Sequence, residues 1–133
     1  MDANALAQIV AAVPFAAHLG IRVVACSAAR VECEVDLKPE HCTSGGTAHG
    51  GFLMAFADFA GAAGGFMALP EGAKGTTTME SKTNMMGKAP AGSTLRAIST
   101  PVHIGTRTSI WMTRVEMADG RLISLTTQTQ FVL

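Results

Sequence analysis

Polar and apolar side chains alternate without a break from Arg30 to Lys38, in the run Arg30-Val31-Glu32-Cys33-Glu34-Val35-Asp36-Leu37-Lys38. A period of two predicts a strand with one buried face. Ile21 to Ala25 reads as its partner strand, with a turn near Ser27 to Ala29. Ahead of both, residues 3–12 predict a short helix, with Asp2 or Asn4 available as N-cap and Pro14 ending it. Pro39 to Thr47 is small and polar, hence a loop. Residues 50–68 are apolar all round, which predicts a helix buried on every side, and they stop around Pro70 and Gly72. Beyond them the chain reads almost entirely as strand: Lys74 to Met86, Thr94 to Ile104, Thr106 to Met117 and Arg121 to Val132. Lys88 to Gly92 is a turn, and Asp119-Gly120 is a strong two-residue hairpin signal. The third of these strands is apolar on both faces around Ile110, Trp111 and Met112, which predicts an interior place in the sheet.

The order of helix, two strands, long helix and four strands predicts an α+β fold in which an antiparallel sheet curls around a single helix. The 133 residues fit one domain, 1–133, with no internal repeat or linker. A curled sheet of this size leaves edge strands to be covered, and pairing between copies would cover them. Composition points the same way. Hydrophobic residues make up 48% and charged ones only 15%, little charge for so small a surface, which implies a homo-oligomer.

Charge and cysteine content exclude several classes. Ten basic residues balance ten acidic ones, so nothing marks the chain for nucleic acid or an anionic membrane surface. Cys26, Cys33 and Cys42 are odd in number and lack metal-ligand spacing, which implies a reduced, cytoplasmic setting with no metal or other cofactor. The first ten residues carry an acid and no basic cluster, unlike a signal peptide. Residues 50–69 approach membrane-spanning length, but Asp58 near their centre, the frequent glycines and the amphipathic strands on both sides argue for a core helix.

Asp58 is also the chief chemical signal. It is the only charged residue from Gly51 to Leu69. A carboxylate on an apolar helix costs several kcal/mol unless it has partners, so it is either satisfied by hydroxyls as a structural group or kept for catalysis; the second is the preferred reading. His49-Gly50-Gly51 stands where the loop enters the helix. Glycines there allow close approach of a ligand, and free N–H groups with the helix dipole can hold an oxyanion, although such pairs are also common in plain tight turns. Gly50 and Asp58 lie eight residues apart, roughly 12 Å along a helix, too far for both to touch one reacting group. Two helices antiparallel across a twofold axis would bring Gly50 of one copy to Asp58 of the other.

The segment HGGFLMAFAD, from His49 to Asp58, resembles the motif of hotdog-fold acyl-CoA thioesterases of the PaaI-like, phenylacetate-degradation type. The likeness extends through TTTMESKTNMMGKAPAG and HIGTRTSIWMTRVEMADGRLI. It implies a hotdog fold, dimers or tetramers, and hydrolysis of an aryl- or alkyl-CoA thioester to free acid and CoA. Asp58 then matches the catalytic carboxylate, acting as base on water or as nucleophile. Gly50 matches the N–H donor to the thioester oxygen, with Gly51 beside it, and His49 matches the residue that helps position that carbonyl. Thr78 falls near a strand position where some relatives carry a hydroxyl that holds the water. Thr43 departs from the pattern, since many relatives have Asn six residues before the motif His, and a hydroxyl cannot replace both the donor and the acceptor of an amide. Lys88 and Arg107 are candidates for the CoA phosphates, or else solvated surface charges. His18 and His41 are expected on the surface or in loops. Two further readings stay open: a non-catalytic acyl-CoA binding or sensing module, and a hotdog dehydratase or hydratase.

Overall fold

A computed structural model describes residues 1–133. Helix α1 spans Ala3–Ala11, capped by Asp2, whose carboxylate accepts the Ala5 N–H at 2.8 Å. Pro14 does more than end it. As the first residue of α2, Pro14–His18, it supplies a fixed φ where no intrahelical donor is needed. Strands β1, Arg22–Cys26, and β2, Val31–Asp36, form the expected antiparallel pair, and Val31, Cys33 and Val35 are fully buried on one face of β2. A 3-10 turn at Pro39–His41 leads through the loop to α3, Gly50–Met67. Strands β3, Thr76–Met85, β4, Thr94–Ile104, β5, Thr108–Met117, and β6, Leu122–Val132, complete the chain.

All six strands join one antiparallel sheet in the order β1-β2-β4-β5-β6-β3. The sheet curls around α3, which is the α+β hotdog arrangement. Strand β5 is interior as its sequence predicts, but only one of its faces is buried within the chain. Ser109, Trp111, Thr113 and Val115 point inward, while Met112 and Arg114 are exposed. The hairpin at Asp119-Gly120 forms with Gly120 at φ +87, a conformation only glycine adopts without strain.

The core lies between the inner sheet face and α3. Leu53, Phe56, Ala57 and Ala60 meet Leu95, Ala97, Val115 and Ile123 from the sheet. Half of α3 is buried in this way, so its apolar composition is that of a core helix. Further along α3 the helix carries Gly61, Gly64 and Gly65. A Cβ at each would run into Gln128, Trp111 and Gln130 respectively. These glycines let large sheet side chains lie directly on the helix backbone, and the seam that results reaches Asp58 through Gln128.

Candidate active site

Asp58 is half-buried on α3 and held by the sheet rather than left alone. The Thr78 hydroxyl donates to Asp58 Oδ1 at 2.8 Å, and Gln128 Nε2 donates to the same oxygen at 3.1 Å. Gln128 Nε2 also lies 3.3 Å from the Asp58 carbonyl oxygen, so a single amide fixes both the carboxylate and its backbone. Behind them Gln130 Nε2 donates to Thr78 Oγ1 at 2.7 Å, and Thr76 donates to Gln130 Oε1 at 3.2 Å. Each donor in this chain is oriented by the next, an arrangement that fixes rotamers within about the tolerance a reacting group needs. Oδ1 is fully engaged, whereas Oδ2 takes part in none of these bonds. The carboxylate is therefore aimed, with one oxygen available to accept a proton or attack a carbon.

Sequence reading found Asp58 and Thr78 but missed Gln128 and Gln130. Both are 1% exposed, on a strand whose inward positions are Ser124, Thr126, Gln128 and Gln130. Period-two alternation puts these four on one face, but their polarity assigns that face to solvent. The available signal was the run of glycines in α3, which a buried amide needs in order to reach the helix backbone.

At the other end of the seam, His49 is the N-cap of α3, and its Nδ1 accepts the Gly51 N–H at 2.8 Å. With Nδ1 accepting, the donor of the neutral ring is Nε2, on an exposed side chain. The Gly51 N–H is therefore occupied, whereas the Gly50 N–H, like that of Phe52, pairs with no group in the chain. Met85 closes over Gly50, its Sδ lying 2.8 Å from where a Cβ would stand. A small cavity of about 250 Å³ opens beside His49 and Gly51, bordered also by His41, Cys42 and Phe52.

His41 is not on the surface. It is 7% exposed in the 3-10 turn, stacked on Phe52 with ring centroids 4.5 Å apart. Its Nδ1 accepts the Lys38 N–H at 3.1 Å, and its carbonyl accepts the His49 N–H at 2.9 Å. Short local bonds of this kind, not any periodic pattern, bury it. Desolvation holds its pKa below the ordinary value, aided by Lys38 and His18 and opposed by Glu40. The neutral form is needed to accept the Lys38 N–H, while the unfolded chain protonates near the usual value of about 6.5. The stabilisation from His41 is thus full above that value and is lost as pH falls through the lower folded one. Tm is expected to fall on acidification from about pH 7.5 to 5, and His41→Asn, which keeps an acceptor but cannot titrate, should flatten that slope in thermal melts.

The remaining candidates are scattered. Thr43 is exposed, and its backbone closes the Thr43–Gly46 turn, while its hydroxyl joins neither the Asp58 chain nor His49. Lys88 and Arg107 are both exposed. Lys88 follows Gly87, which bonds to Ile123 at the start of β6, whereas the Arg107 carbonyl accepts the Val132 N–H at its end. Nine residue steps of strand, from Ile123 to Val132, separate those points, roughly 30 Å. One subunit's Lys88 and Arg107 cannot hold the same phosphate.

Comparison with known proteins narrows the reading. Among solved structures, a mutant of the phenylacetic acid degradation protein PaaI from Thermus thermophilus is 28% identical with a TM-score of 0.82, covering 90% of this chain and 99% of that one. A thioesterase from Haemophilus influenzae is 22% identical with a TM-score of 0.89, covering 100% and 91%. Thioesterase superfamily member 2 from zebra fish is 20% identical with a TM-score of 0.88, covering 100% and 99%. The last two share the fold. A search of curated proteins by sequence gives no match. The model of the thioesterase superfamily matches residues 45–124, taking in the His49-Gly50-Gly51 cap, all of α3 and strands β3 to β5. With well over half of its length matched, including the helix that carries Asp58, the chain belongs to the thioesterase superfamily.

Proposed function

We propose that the protein is an acyl-CoA thioesterase, hydrolysing the thioester to a free acid and CoA. The observation that carries this reading is the Asp58 carboxylate, with one oxygen pinned by Thr78 and Gln128 and the other free, on a helix without another charge. Acting as base, the free oxygen takes a proton from water while the water oxygen bonds to the acyl carbon. The carbonyl electron pair moves onto oxygen, where a backbone N–H at a helix N-terminus stabilises it. Collapse of that intermediate breaks the C–S bond, and the proton on Asp58 passes to the leaving thiolate.

The oxyanion donor is the partner subunit's Gly50. Within one helix Gly50 and Asp58 stand roughly 12 Å apart, so a two-copy site is required. Edge strand β3 offers the means of assembly. It pairs only with β6, and it leaves Met79 and Met85 61% and 48% exposed. Antiparallel pairing of β3 with its copy would cover these residues and extend the sheet. His49 Nε2 then donates to the substrate carbonyl or its approach, and Lys88 of one copy and Arg107 of the other are available to the CoA phosphates from opposite sides.

The test is release of CoA from a panel of acetyl-, decanoyl- and phenylacetyl-CoA, followed with a thiol-reactive dye, alongside sedimentation to fix the assembly. Turnover on at least one thioester by a dimer or larger species is expected. Binding of every thioester without CoA release would turn the assignment to a sensing module, and a stable active monomer would sink the shared site.

A further inference from the structure

Gln130 makes no bond to Asp58, yet it stands next in line behind it. It is directly opposite Thr78 in the β3–β6 ladder, is 1% exposed, and donates from Nε2 to Thr78 Oγ1 at 2.7 Å. We propose that Gln130 is a positioning residue for the reaction. By donating to the Thr78 hydroxyl it directs the one proton of that hydroxyl to Asp58 Oδ1, and so leaves Oδ2 as the oxygen that reacts; this rests on the thioesterase reading above.

Donors and acceptors set the direction. A threonine hydroxyl carries a single proton and accepts through its lone pairs. Thr78 sits between an amide N–H, which only donates, and a carboxylate, which only accepts. Its proton therefore has one destination, Asp58 Oδ1 at 2.8 Å. With the amide reversed, Gln130 Oε1 would face Thr78, and two acceptors would compete for one proton. Thr76 favours the observed sense by donating to Gln130 Oε1 at 3.2 Å. Packing holds the side chain in place. A Cβ on Gly65 would lie 2.7 Å from Gln130 Cγ, so the stem of Gln130 rests on the backbone of α3. The strand aims Thr78 as well. Thr78 pairs with Gln130 and Glu80 with Thr129, which makes Met79 a bulge. Bulges bend a strand and re-aim its side chains, and this one directly follows the residue that holds Asp58.

The fold itself does not need this amide. Both bonds of the Gln130 side chain go to hydroxyls, and none goes to the backbone. With methionine in its place, Thr76 would still donate to the Phe131 carbonyl at 3.0 Å and Thr78 to Asp58 at 2.8 Å. No buried donor would be stranded, and an unbranched stem would still fill the space beside Gly65. Burying an amide costs free energy that an apolar side chain of the same length does not, so what the amide adds is direction. Held at Oδ1 by Gln128 alone, the carboxylate can turn about that single bond. The second donor, from the neighbouring strand, stops the turn.

Gln130→Met, Thr78→Val and the double variant are compared with the wild type for kcat and KM in CoA release and for Tm. Gln130→Met is expected to lower kcat about 10-fold with KM unchanged, short of the roughly 100-fold that a 1 Å misplacement costs. Its Tm should stay within a few degrees of the wild type. In the Thr78→Val background the same substitution should cost nothing further, because the proton it directs is gone. An unchanged kcat in Gln130→Met, or losses that multiply in the double variant, would overturn the proposal. A second readout needs no turnover. The Thr78 hydroxyl proton, engaged on both sides, should exchange with water slowly enough to be seen by NMR, and Gln130→Met should speed that exchange about 10-fold or more. Equal exchange in the two proteins would mean that Gln130 directs nothing. If the wild type releases no CoA from any thioester while Gln130→Met still speeds the exchange, the thioesterase reading fails and the direction of the Thr78 proton stands.

Discussion

Asp58→Asn is expected to lower kcat for thioester hydrolysis by about 100- to 10,000-fold, the range for losing a general base or nucleophile, with KM changed little. Asparagine keeps an oxygen where Asp58 Oδ1 accepts from Thr78 at 2.8 Å and from Gln128 at 3.1 Å. The surrounding chain of Gln130, Thr78 and Thr76 can therefore stay in place. What disappears is the second oxygen, replaced by an amide nitrogen that can only donate. Loss of rate without loss of Tm, measured by CoA release and thermal melts on one preparation, would separate chemistry from structure. A fall of less than about 10-fold would mean that Asp58 serves the fold and that the proton goes elsewhere.

The arrangement around Asp58 also explains which parts of the site were legible in the sequence. A lone carboxylate on an apolar helix is conspicuous because burial makes it costly, and Thr78 lies on a strand whose extended character is plain. The elements were equally legible. The alternation from Val31 to Val35 gives β2, the Asp119-Gly120 turn gives the last hairpin, and the run from Gly50 to Met67 gives α3. Gln128 and Gln130 were hidden because polar residues on the inner face of β6 invert the rule that alternation normally follows. They are inward because Asp58 and Thr78 must be satisfied there, a requirement that appears only once α3 and β6 are placed together. His41 was hidden for another reason. Its burial arises from a 3-10 turn and a stack on Phe52, neither of which leaves a periodic trace. Lys88 and Arg107 look alike in sequence, yet β6 sets them at opposite ends of the sheet.

The same logic of close approach yields the largest expected effect on stability. Gly64→Ala adds a methyl group 2.5 Å from the six-membered ring of Trp111, and three ring atoms lie within 2.7 Å of it. On propensity alone the change should stabilise a helix by about 1 kcal/mol. Trp111 cannot yield. It is fully buried, and its Nε1 donates to Ser109 Oγ at 2.9 Å, so tilting the ring breaks a buried bond as well as the packing. Overpacking of this kind costs about 1–3 kcal/mol or somewhat more, which outweighs the gain in propensity. Tm should therefore drop by several degrees, and α3 should shift away from β5. Gly61→Ala differs in what it hits. Its methyl group meets the Gln128 amide, and Gln128 can move, but only by releasing Asp58 Oδ1. Gly64→Ala should thus lower Tm with activity retained at temperatures below the transition, whereas Gly61→Ala should lower kcat at a Tm closer to that of the wild type. Equal effects of the two substitutions on both quantities would show that the glycines act only as space, and that the Gln128 amide is not what aims the carboxylate.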